Sequence, residues 1–467
     1  MNEKKTDENQ KSENGITRRK FIGTTAMATA AFTIVPRHVL GGQGFTPPSD
    51  KLNIAVIGVG GKGKSDMYSV ATENIVALCD VDDRKMNETI KKTKEEEGKE
   101  DLVEALEKAP KYKDFREMLD KQKDIDAVTI STPDHTHAVA AAYAMRRGKH
   151  VFVQKPLTYS VGEARVLNKI AKETGVITQM GNQGHSQEGI RLIQEWLDDG
   201  AIGSVNKVDC WTNRPVWDTG MERPESIPSV PRELDWNLWL GPAPFRPYHP
   251  DYMPWSWRAW SDFGTGALGD MGAHIFDIPY HTLKLVYPTT IQASSSNFNG
   301  ESWPVAEAFH YQFPERGDMP AVEFGWYDGG IMPPRPEELE PGRRMGNGGG
   351  GVMYYGTKGK IMCGCYGESP RLIPETAMKE YKQPPKTIKR SPGIHEEWVE
   401  AIKNNEQSTT NFEYSSKLVE TMMLGNIAIR MADKHEVLEW DGEKGEITNV
   451  PEANEWVMRE YANGWTL

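Results

Sequence analysis

Short apolar runs alternate with longer amphipathic segments between residues 51 and 180. Each run has the length and composition of a strand that is buried on both faces, and the runs span residues 52–57, 74–79, 126–130, 150–154 and 176–180. Helix signals fill the intervals, such as Ser160 and Glu163, which are spaced to form a capping box. This alternation predicts an α/β domain with a doubly wound parallel sheet over residues 51–180.

The pattern changes after residue 181. An amphipathic helix at 186–199 precedes strand-like stretches at 205–211, 290–297, 306–313, 321–326 and 351–363, and helices at 395–403 and 414–434 follow. This order predicts an α+β domain with an open, mostly antiparallel sheet over residues 181–435, followed by a C-terminal extension at 436–467. Seven of the fourteen tryptophans lie within residues 211–260, a long stretch without clear periodicity, and such stretches are often functional.

The first strand ends in a glycine-rich turn that contains Gly58, Gly60, Gly61 and Gly63. Three of these glycines fit G-x-G-x-x-G, in which the turn is tight, the backbone approaches a pyrophosphate, and the next helix packs closely. The second strand ends at Asp80, where a carboxylate can bind a ribose 2′-hydroxyl. We therefore predict a Rossmann domain that binds NAD, while Arg84 leaves NADP open. A glycine-rich turn without a ligand is the alternative.

The composition is that of a folded, acidic chain. Of 467 residues, 38% are hydrophobic and 26% are charged, and the formal net charge is −12. This charge argues against a nucleic acid or an anionic membrane surface as a partner. The four cysteines lack the paired spacing of a zinc site, and His135 and His137 lack an acidic or cysteine partner, so no metal is predicted.

Residues 1–40 differ from the rest of the chain. A polar, basic stretch leads through Arg18 and Arg19 to a short run rich in Ala and Thr. Twin arginines before a modest apolar run predict a Tat-type signal peptide and export to the periplasm, with residues 41–50 as a linker. The run is too short for a stable membrane span, and a basic, disordered tail is the alternative. Because Tat substrates cross the membrane folded, the protein would carry its cofactor and regenerate it within each catalytic cycle.

Two further stretches carry side chains suited to proton transfer. Lys155 follows a predicted strand and precedes Pro156, which places its amine at the end of the sheet where ligands bind. Asp270 and His274 are four residues apart in a predicted helix, so the carboxylate can orient the imidazole for a hydroxyl proton. The alternatives are a surface lysine and a structural Asp–His pair.

Other polar and aromatic residues are candidates for substrate binding. Asn182 and His185 follow the last strand of the first domain, where they line the cleft between the domains or cap the next helix. Trp257 belongs to the tryptophan-rich stretch, and its ring face suits the apolar C–H surface of a sugar. Most of the tryptophans are expected to be core and loop anchors.

The order of these motifs resembles the Gfo/Idh/MocA family, which includes glucose–fructose oxidoreductase and inositol dehydrogenase. The chain contains, in this order, GVGGKG, STPDHTH, VQKPLT, LDWNLWLGPAP and GALGDMGAHIFD, and the resemblance covers residues 51–435. It implies a Rossmann domain that binds NAD or NADP, and a second domain whose open sheet binds a sugar or cyclitol and pairs subunits in a homo-oligomer.

By the same resemblance, roles fall on individual residues. The catalytic residues would be Lys155, Asp270 and His274, around the reacting hydroxyl. The cofactor-binding residues would be Gly58, Gly60, Gly61, Gly63, Asp80, Thr132, Pro133, His135 and Lys155. One position departs from the family, since Gln154 stands where Glu-Lys-Pro is common, which removes a negative charge beside Lys155.

Three functions are consistent with these residues and motifs. The first is an exported NAD(P)-dependent oxidoreductase that takes hydride from a secondary hydroxyl of a sugar or glycoside. The second is a glycosidase that uses tightly bound NAD to oxidise its substrate transiently and eliminate the aglycone. The third is a non-catalytic sugar- or nucleotide-binding protein, in which Gln154 marks a lost activity.

Overall fold

The computed structural model describes residues 50–467, so the predicted signal peptide and most of the linker lie outside the described residues. Residues 52–467 form one compact unit. In this part of the chain, six parallel strands form the first sheet in the order β3-β2-β1-β4-β5-β6. The strands are β1 (Asn53–Ile57), β2 (Asn74–Cys79), β3 (Lys111–Tyr112), β4 (Ala127–Ile130), β5 (His150–Gln154) and β6 (Thr178–Gly181). The predicted doubly wound sheet is confirmed.

Helices separate these strands, as the alternating pattern predicts. They are α1 (Lys62–Ser69), α2 (Asp83–Lys94), α3 (Glu100–Lys108), α4 (Phe115–Lys121), α5 (Asp134–Met145) and α6 (Val161–Thr174). The capping box forms at α6, where the Ser160 hydroxyl accepts from the Glu163 amide and the Glu163 carboxylate accepts from the Ser160 amide. Gly175 ends α6 in the left-handed region, with φ of 68°.

The second sheet has nine strands within the described residues, in the order β13-β12-β11-β7-β10-β9-β8-β14-β15. They are β7 (Val205–Thr212), β8 (Thr290–Ser295), β9 (Glu307–Phe313), β10 (Val322–Tyr327), β11 (Gly350–Gly356), β12 (Lys360–Gly364), β13 (Arg371–Ile373), β14 (Leu438–Asp441) and β15 (Glu446–Ile447). Only β7 and β10 pair in parallel, so the predicted mostly antiparallel sheet is confirmed.

Two details of this sheet differ from the sequence prediction. The stretch 351–363 is a hairpin of β11 and β12 rather than one strand, because the chain reverses between Gly356 and Lys360. The predicted C-terminal extension adds β14 and β15 to the edge of the sheet beside β8.

Helices of the second part cover this sheet and contact the first domain. They are α7 (Glu188–Asp198), α8 (Trp236–Leu240), α9 (Gly266–Ile275), α10 (Asp277–Thr282), α11 (Glu375–Glu380), α12 (Ile394–Asn404) and α13 (Phe412–Arg430). α12 returns to the first sheet, where Trp398 and His395 pack against the Phe152 ring of β5. None of the helices within residues 50–467 is long and apolar enough to cross a membrane.

Candidate active site

A cavity of about 370 Å³ lies at the carboxyl end of the parallel sheet. One wall is the glycine turn after β1, and the opposite wall comes from the tryptophan-rich segment and from α9. Its lining includes Gly58, Gly60, Gly61, Asp80, Thr132, Pro133, Lys155, Trp255, Trp257, Arg258 and Asp270. Ligands of doubly wound sheets bind at this edge, so the cavity is the candidate active site.

The glycine turn has the shape that a dinucleotide requires. A methyl group added at Gly63 would lie 1.8 Å from the carbonyl oxygen of Gly58, so only glycine lets α1 pack so closely. Gly58 has φ of +81°, and an added methyl would lie 2.7 Å from the Ser131 oxygen. Gly60 has no such contact and faces the cavity, so its backbone is open to a pyrophosphate beside the amino-terminal amides of α1. These residues fit a dinucleotide.

Asp80 lies at the end of β2, as predicted, and lines the same cavity. Its carboxylate accepts the amides of Val59 and Asp82, each at 3.0 Å. Burial raises the pKa of Asp80 to about 6, although the backbone hydrogen bonds oppose this shift. Arg84 is held by Asp82, with Nε 2.8 Å from Oδ1 and Nη2 2.7 Å from Oδ2. Arg84 is therefore already paired and does not line the cavity. It is not placed to bind the 2′-phosphate of NADP, which favours NAD over NADP.

Lys155 and Asp270 form an ion pair that joins the two domains. Lys155 follows β5, Asp270 lies in α9, and the Lys155 amine is 2.8 Å from Oδ1 of Asp270. Burial alone would raise the pKa of Asp270, but Lys155 and then Arg258 lower it below its usual value. The Asp270 carboxylate is therefore ionised, and it holds the lysine amine at the cavity wall.

The predicted hydrogen bond between Asp270 and His274 is wrong. Nδ1 of His274 is 3.0 Å from Oδ1 of Asn182, while the Asp270 carboxylate faces Lys155. Burial, followed by the charge of Lys155, lowers the pKa of His274 well below its ordinary value, so the ring is neutral. The neutral ring donates Nδ1–H to Asn182 and keeps a lone pair on Nε2. His274 is fully buried beside the Tyr366 ring and does not itself line the cavity.

Two other predicted site residues lie outside the cavity. His135 is packed between the rings of Trp239 and Phe263, and its two ring nitrogens contact the carbonyl oxygens of the same two residues. Burial, helped by Arg459, lowers its pKa to about 3, although the two carbonyl contacts oppose this shift. Nδ1 of His185 contacts the Asp277 carboxylate at 2.9 Å, and His185 is buried. Neither residue lines the cavity, and their predicted roles in binding stay predictions.

The remaining predicted residues are placed as follows. Thr132, Pro133 and Trp257 line the cavity, whereas Asn182 does not and instead contacts the buried His274 ring. Gly63 packs beneath the turn rather than lining the cavity wall. Their roles in binding and catalysis stay predictions.

Gln154, which departs from the family motif, faces a carboxylate of the first domain. Its Nε2 donates to Oδ2 of Asp66 at 2.8 Å, and Asp66 belongs to α1. Asp66 also accepts from Ser131, His395 and Lys62. Burial opposes ionisation of Asp66, but the hydrogen bond from His395 and the charge of Lys62 lower its pKa below the usual value. A negative charge is thus present at this strand end, supplied by residue 66 instead of residue 154.

Sequence reasoning missed two arginines and a tyrosine at the site. Arg258 and Arg214 each place Nε 3.4 Å from the Asp270 carboxylate. Tyr366 packs edge-on against His274 and adopts φ of +64°, an uncommon conformation for a residue other than glycine. Such strained residues are concentrated at functional sites. The only sequence signal for the arginines was the tryptophan-rich stretch around them.

Family models agree with the fold and the site. Residues 52–182 match the NAD-binding Rossmann-fold domain of an oxidoreductase family, and residues 193–292 match the C-terminal α/β domain of the same family. The fold and the two matches thus define a two-domain chain with the NAD-binding Rossmann domain of an oxidoreductase family. The chain belongs to the Gfo/Idh/MocA family.

Curated relatives match over part of their length. The scyllo-inositol 2-dehydrogenase (NAD(+)) of Bacillus subtilis is 29% identical over 182 residues, which are 38% of this chain and 46% of that protein. Levoglucosan dehydrogenase of Pseudarthrobacter phenanthrenivorans is 26% identical over 35% of this chain and 34% of that protein. A glycosyl hydrolase family 109 protein of Porphyromonas gingivalis is 35% identical over 27% of this chain and 26% of that protein. The matched stretch thus spans less than half of each of these relatives.

Solved structures share the fold over most of their length. Levoglucosan dehydrogenase in complex with NADH and levoglucosan aligns with a TM-score of 0.55 at 16% identity, covering 84% of this chain and 99% of that one. GenD2 from gentamicin A biosynthesis, in complex with NAD, aligns with a TM-score of 0.54 at 19% identity, covering 84% and 97%. At these identities the likeness establishes the fold.

Proposed function

We propose that this protein is an NAD-dependent oxidoreductase that takes a hydride from a secondary hydroxyl of a sugar or glycoside. The observation that carries the proposal is that the glycine turn and the Lys155–Asp270 pair line one cavity. A dinucleotide bound along the turn would extend toward the lysine. The named activities of the relatives, on inositol and levoglucosan, are consistent with a polyhydroxylated substrate.

The cofactor supplies the hydride acceptor, and the chain supplies binding and proton transfer. Lys155 reaches the cavity wall, where its amine can hydrogen bond the oxygen of the reacting hydroxyl while Asp270 keeps it in place. His274 donates its Nδ1–H to the Asn182 oxygen and keeps a lone pair on Nε2, which is suited to accept the hydroxyl proton, although the ring is not part of the cavity lining. Trp257 supplies an apolar wall for the sugar ring.

A glycosidase that works through transient oxidation is the second candidate. The match to a glycosyl hydrolase family 109 protein favours it, as does the expectation that an exported enzyme must regenerate its own cofactor. Oxidation at C3 of a glycoside acidifies the neighbouring C2 proton, so loss of that proton can expel the aglycone from C1. Water then adds at C1, and return of the hydride to C3 restores the hydroxyl and regenerates the oxidised cofactor.

One assay separates these candidates from a non-catalytic binding protein. The purified chain is incubated with NAD and a panel of free sugars, inositols, and methyl and aryl glycosides, and both reduced nicotinamide and released aglycone are followed. Reduced nicotinamide without aglycone supports the dehydrogenase. Aglycone without net reduced cofactor supports the glycosidase. Bound nucleotide without either product refutes both and supports the binding protein.

Export and assembly complete the proposal. The twin arginines and the apolar run of residues 1–40 support a Tat-type signal and a periplasmic location. Fractionation of cells that express the chain tests this, and substitution of Arg18 and Arg19 by Lys should retain the protein in the cytoplasm. The open second sheet supports a homo-oligomer by analogy with the family, which light scattering of the purified protein measures.

A further inference from the structure

Three cations surround one carboxylate at the substrate end of the cavity. Asp270 accepts from Lys155 at 2.8 Å, and the Nε atoms of Arg258 and Arg214 lie 3.4 Å from its two oxygens. The side chains are mostly withdrawn from solvent, with 15% exposure for Lys155, 18% for Arg258 and 25% for Arg214. Counting these four groups alone, the cluster carries two uncompensated positive charges in a poorly solvated place.

The other charged groups nearby do not neutralise the cluster. Asp134 lines the cavity, but its carboxylate is bound by the amide and hydroxyl of Thr265, and burial raises its pKa. Lys62 is paired with Asp66, 3.0 Å away. Glu368, on the side of Arg214, is exposed and accepts from Asn347. Even with Asp134 ionised, a net positive charge stays beside Lys155.

The arginines also keep donors available. Within the described residues, Nη1 of Arg258 donates to the Trp255 carbonyl at 3.3 Å, and its Nη2 has no hydrogen-bond partner. Arg214 donates from Nη1 to Asn213, and its buried Nε makes no well-formed hydrogen bond. The Arg258 guanidinium lies 4.2 Å from the ring centres of both Trp255 and Trp257, which fixes its plane at the cavity wall.

We propose that the substrate is an acidic sugar, whose anionic group binds Arg258, with Arg214 adding to the field, beside the Lys155–Asp270 pair. The proposal rests on the proposed function, because it names the substrate class of the same cavity. A fixed, planar guanidinium whose Nη2 has no partner among the described residues is suited to a carboxylate, sulfate or phosphate. Trp255 and Trp257 would contact the C–H face of the ring that carries this group. A neutral sugar would leave the excess positive charge without a partner in a site that water reaches poorly.

Calorimetric titration of the NADH-loaded full chain tests this proposal without requiring turnover. The probes are glucuronate, its neutral methyl ester, glucose, glucose 6-sulfate and glucose 6-phosphate. One charge-assisted hydrogen bond corresponds to roughly 10-fold or more in affinity, so at least one anionic sugar should bind about 10-fold tighter than glucose and the methyl ester. The tightest of the three anionic probes identifies the anionic group.

Variants locate the binding group. Arg258→Gln should reduce the affinity for the preferred anionic sugar to that for the neutral probes, and Arg258→Lys should restore part of it. Arg147→Gln is the matched control, because Arg147 also lies over an aromatic ring and pairs with a carboxylate. It follows the far end of α5, whose first residue, Asp134, lines the cavity; the helix is about 18 Å long. The Arg147→Gln variant should preserve the preference for the anionic sugar over the neutral probes.

The outcomes separate the two proposals. Equal affinity for anionic and neutral sugars, or an equal loss in the Arg147→Gln variant, overturns the acidic-sugar proposal even where sugars are oxidised. Selective binding of an anionic sugar, without oxidation of any sugar, refutes the proposed oxidoreductase activity and leaves the acidic ligand established.

Discussion

Gln154→Glu restores the residue common in the family and should destabilise this protein. Gln154 donates to Asp66 at 2.8 Å, and the two residues are 5% and 0% exposed. The substitution removes the donor and places two buried carboxylates in contact. At a separation near 4 Å and an effective dielectric constant of about 20, the repulsion is about 4 kcal/mol. Lys62 and His395 already bind Asp66 in the native chain, so they offer no new compensation.

The loss of folding stability in the Gln154→Glu variant should depend on pH. Repulsion by Asp66 raises the folded pKa of the introduced carboxyl above its unfolded value of about 4.3, so folding takes up a proton. Stability of the variant therefore falls as the pH rises between that value and the raised folded pKa. Thermal unfolding at pH 8 should show a Tm about 4–8 °C below the native chain, and the difference should shrink near pH 5.

A control tests whether burial is the cause. Gln194 donates to Asp198 at 2.9 Å on α7, and Asp198 is better exposed than Asp66, so Gln194→Glu should cost less than about 1 kcal/mol. Combining Gln154→Glu with Asp66→Asn should recover part of the loss at pH 8 because one carboxylate again has an amide donor. The reasoning is refuted if Gln154→Glu is no worse than the control at pH 8, or if its loss does not depend on pH.

Three further variants test the site. Lys155→Met should retain NAD affinity in a fluorescence titration and abolish turnover, because Arg258 and Arg214 still compensate Asp270; unchanged turnover would remove Lys155 from the mechanism. Asn182→Ala should lower kcat by about 10- to 100-fold with little change in NAD affinity, because the His274 ring loses the acceptor that fixes its tautomer; an unchanged kcat would contradict this role. Affinity for NAD should weaken as the pH falls below about 6, where Asp80 takes up a proton and accepts ribose hydroxyls less well, and Asp80→Asn should flatten the profile. A native profile as flat as that of the variant would contradict this assignment.

The elements of the fold follow from local patterns in the chain. The buried strands are continuous apolar runs, and the capping box at Ser160 and the glycine at 175 mark the limits of α6 correctly. The sequence does not separate β11 from β12, because the turn at 357–359 contains a single glycine and no strong turn signal. The attachment of β14 and β15 to the second sheet could not be predicted, because it depends on a pairing with β8 that lies far away in the chain.

Site residues on turns next to strands were predictable, whereas those whose role depends on distant partners were not. Gly58, Asp80 and Lys155 each follow a strand, so their place at the edge of the sheet is set by topology. Asp66 gave no signal, since its partner Gln154 is 88 residues away. His135 lies on the correct turn but points into an aromatic core that other segments supply.

The partner of Asp270 shows why helical spacing alone misassigned the site. Residues four apart on a helix are neighbours, but such a pair stabilises a helix by only about 0.2–0.5 kcal/mol. A buried carboxylate needs charge compensation worth several times as much, and His274 cannot provide it because burial keeps its ring neutral. Lys155 comes from the other domain, and its amine lies 2.8 Å from Oδ1 of Asp270. Asp270 therefore pairs with Lys155, and His274 donates Nδ1–H to the uncharged amide oxygen of Asn182. The lone pair on Nε2 of His274 stays free. The separation of these two pairs divides the proposed chemistry into a charged group that holds the hydroxyl and a neutral group that takes its proton.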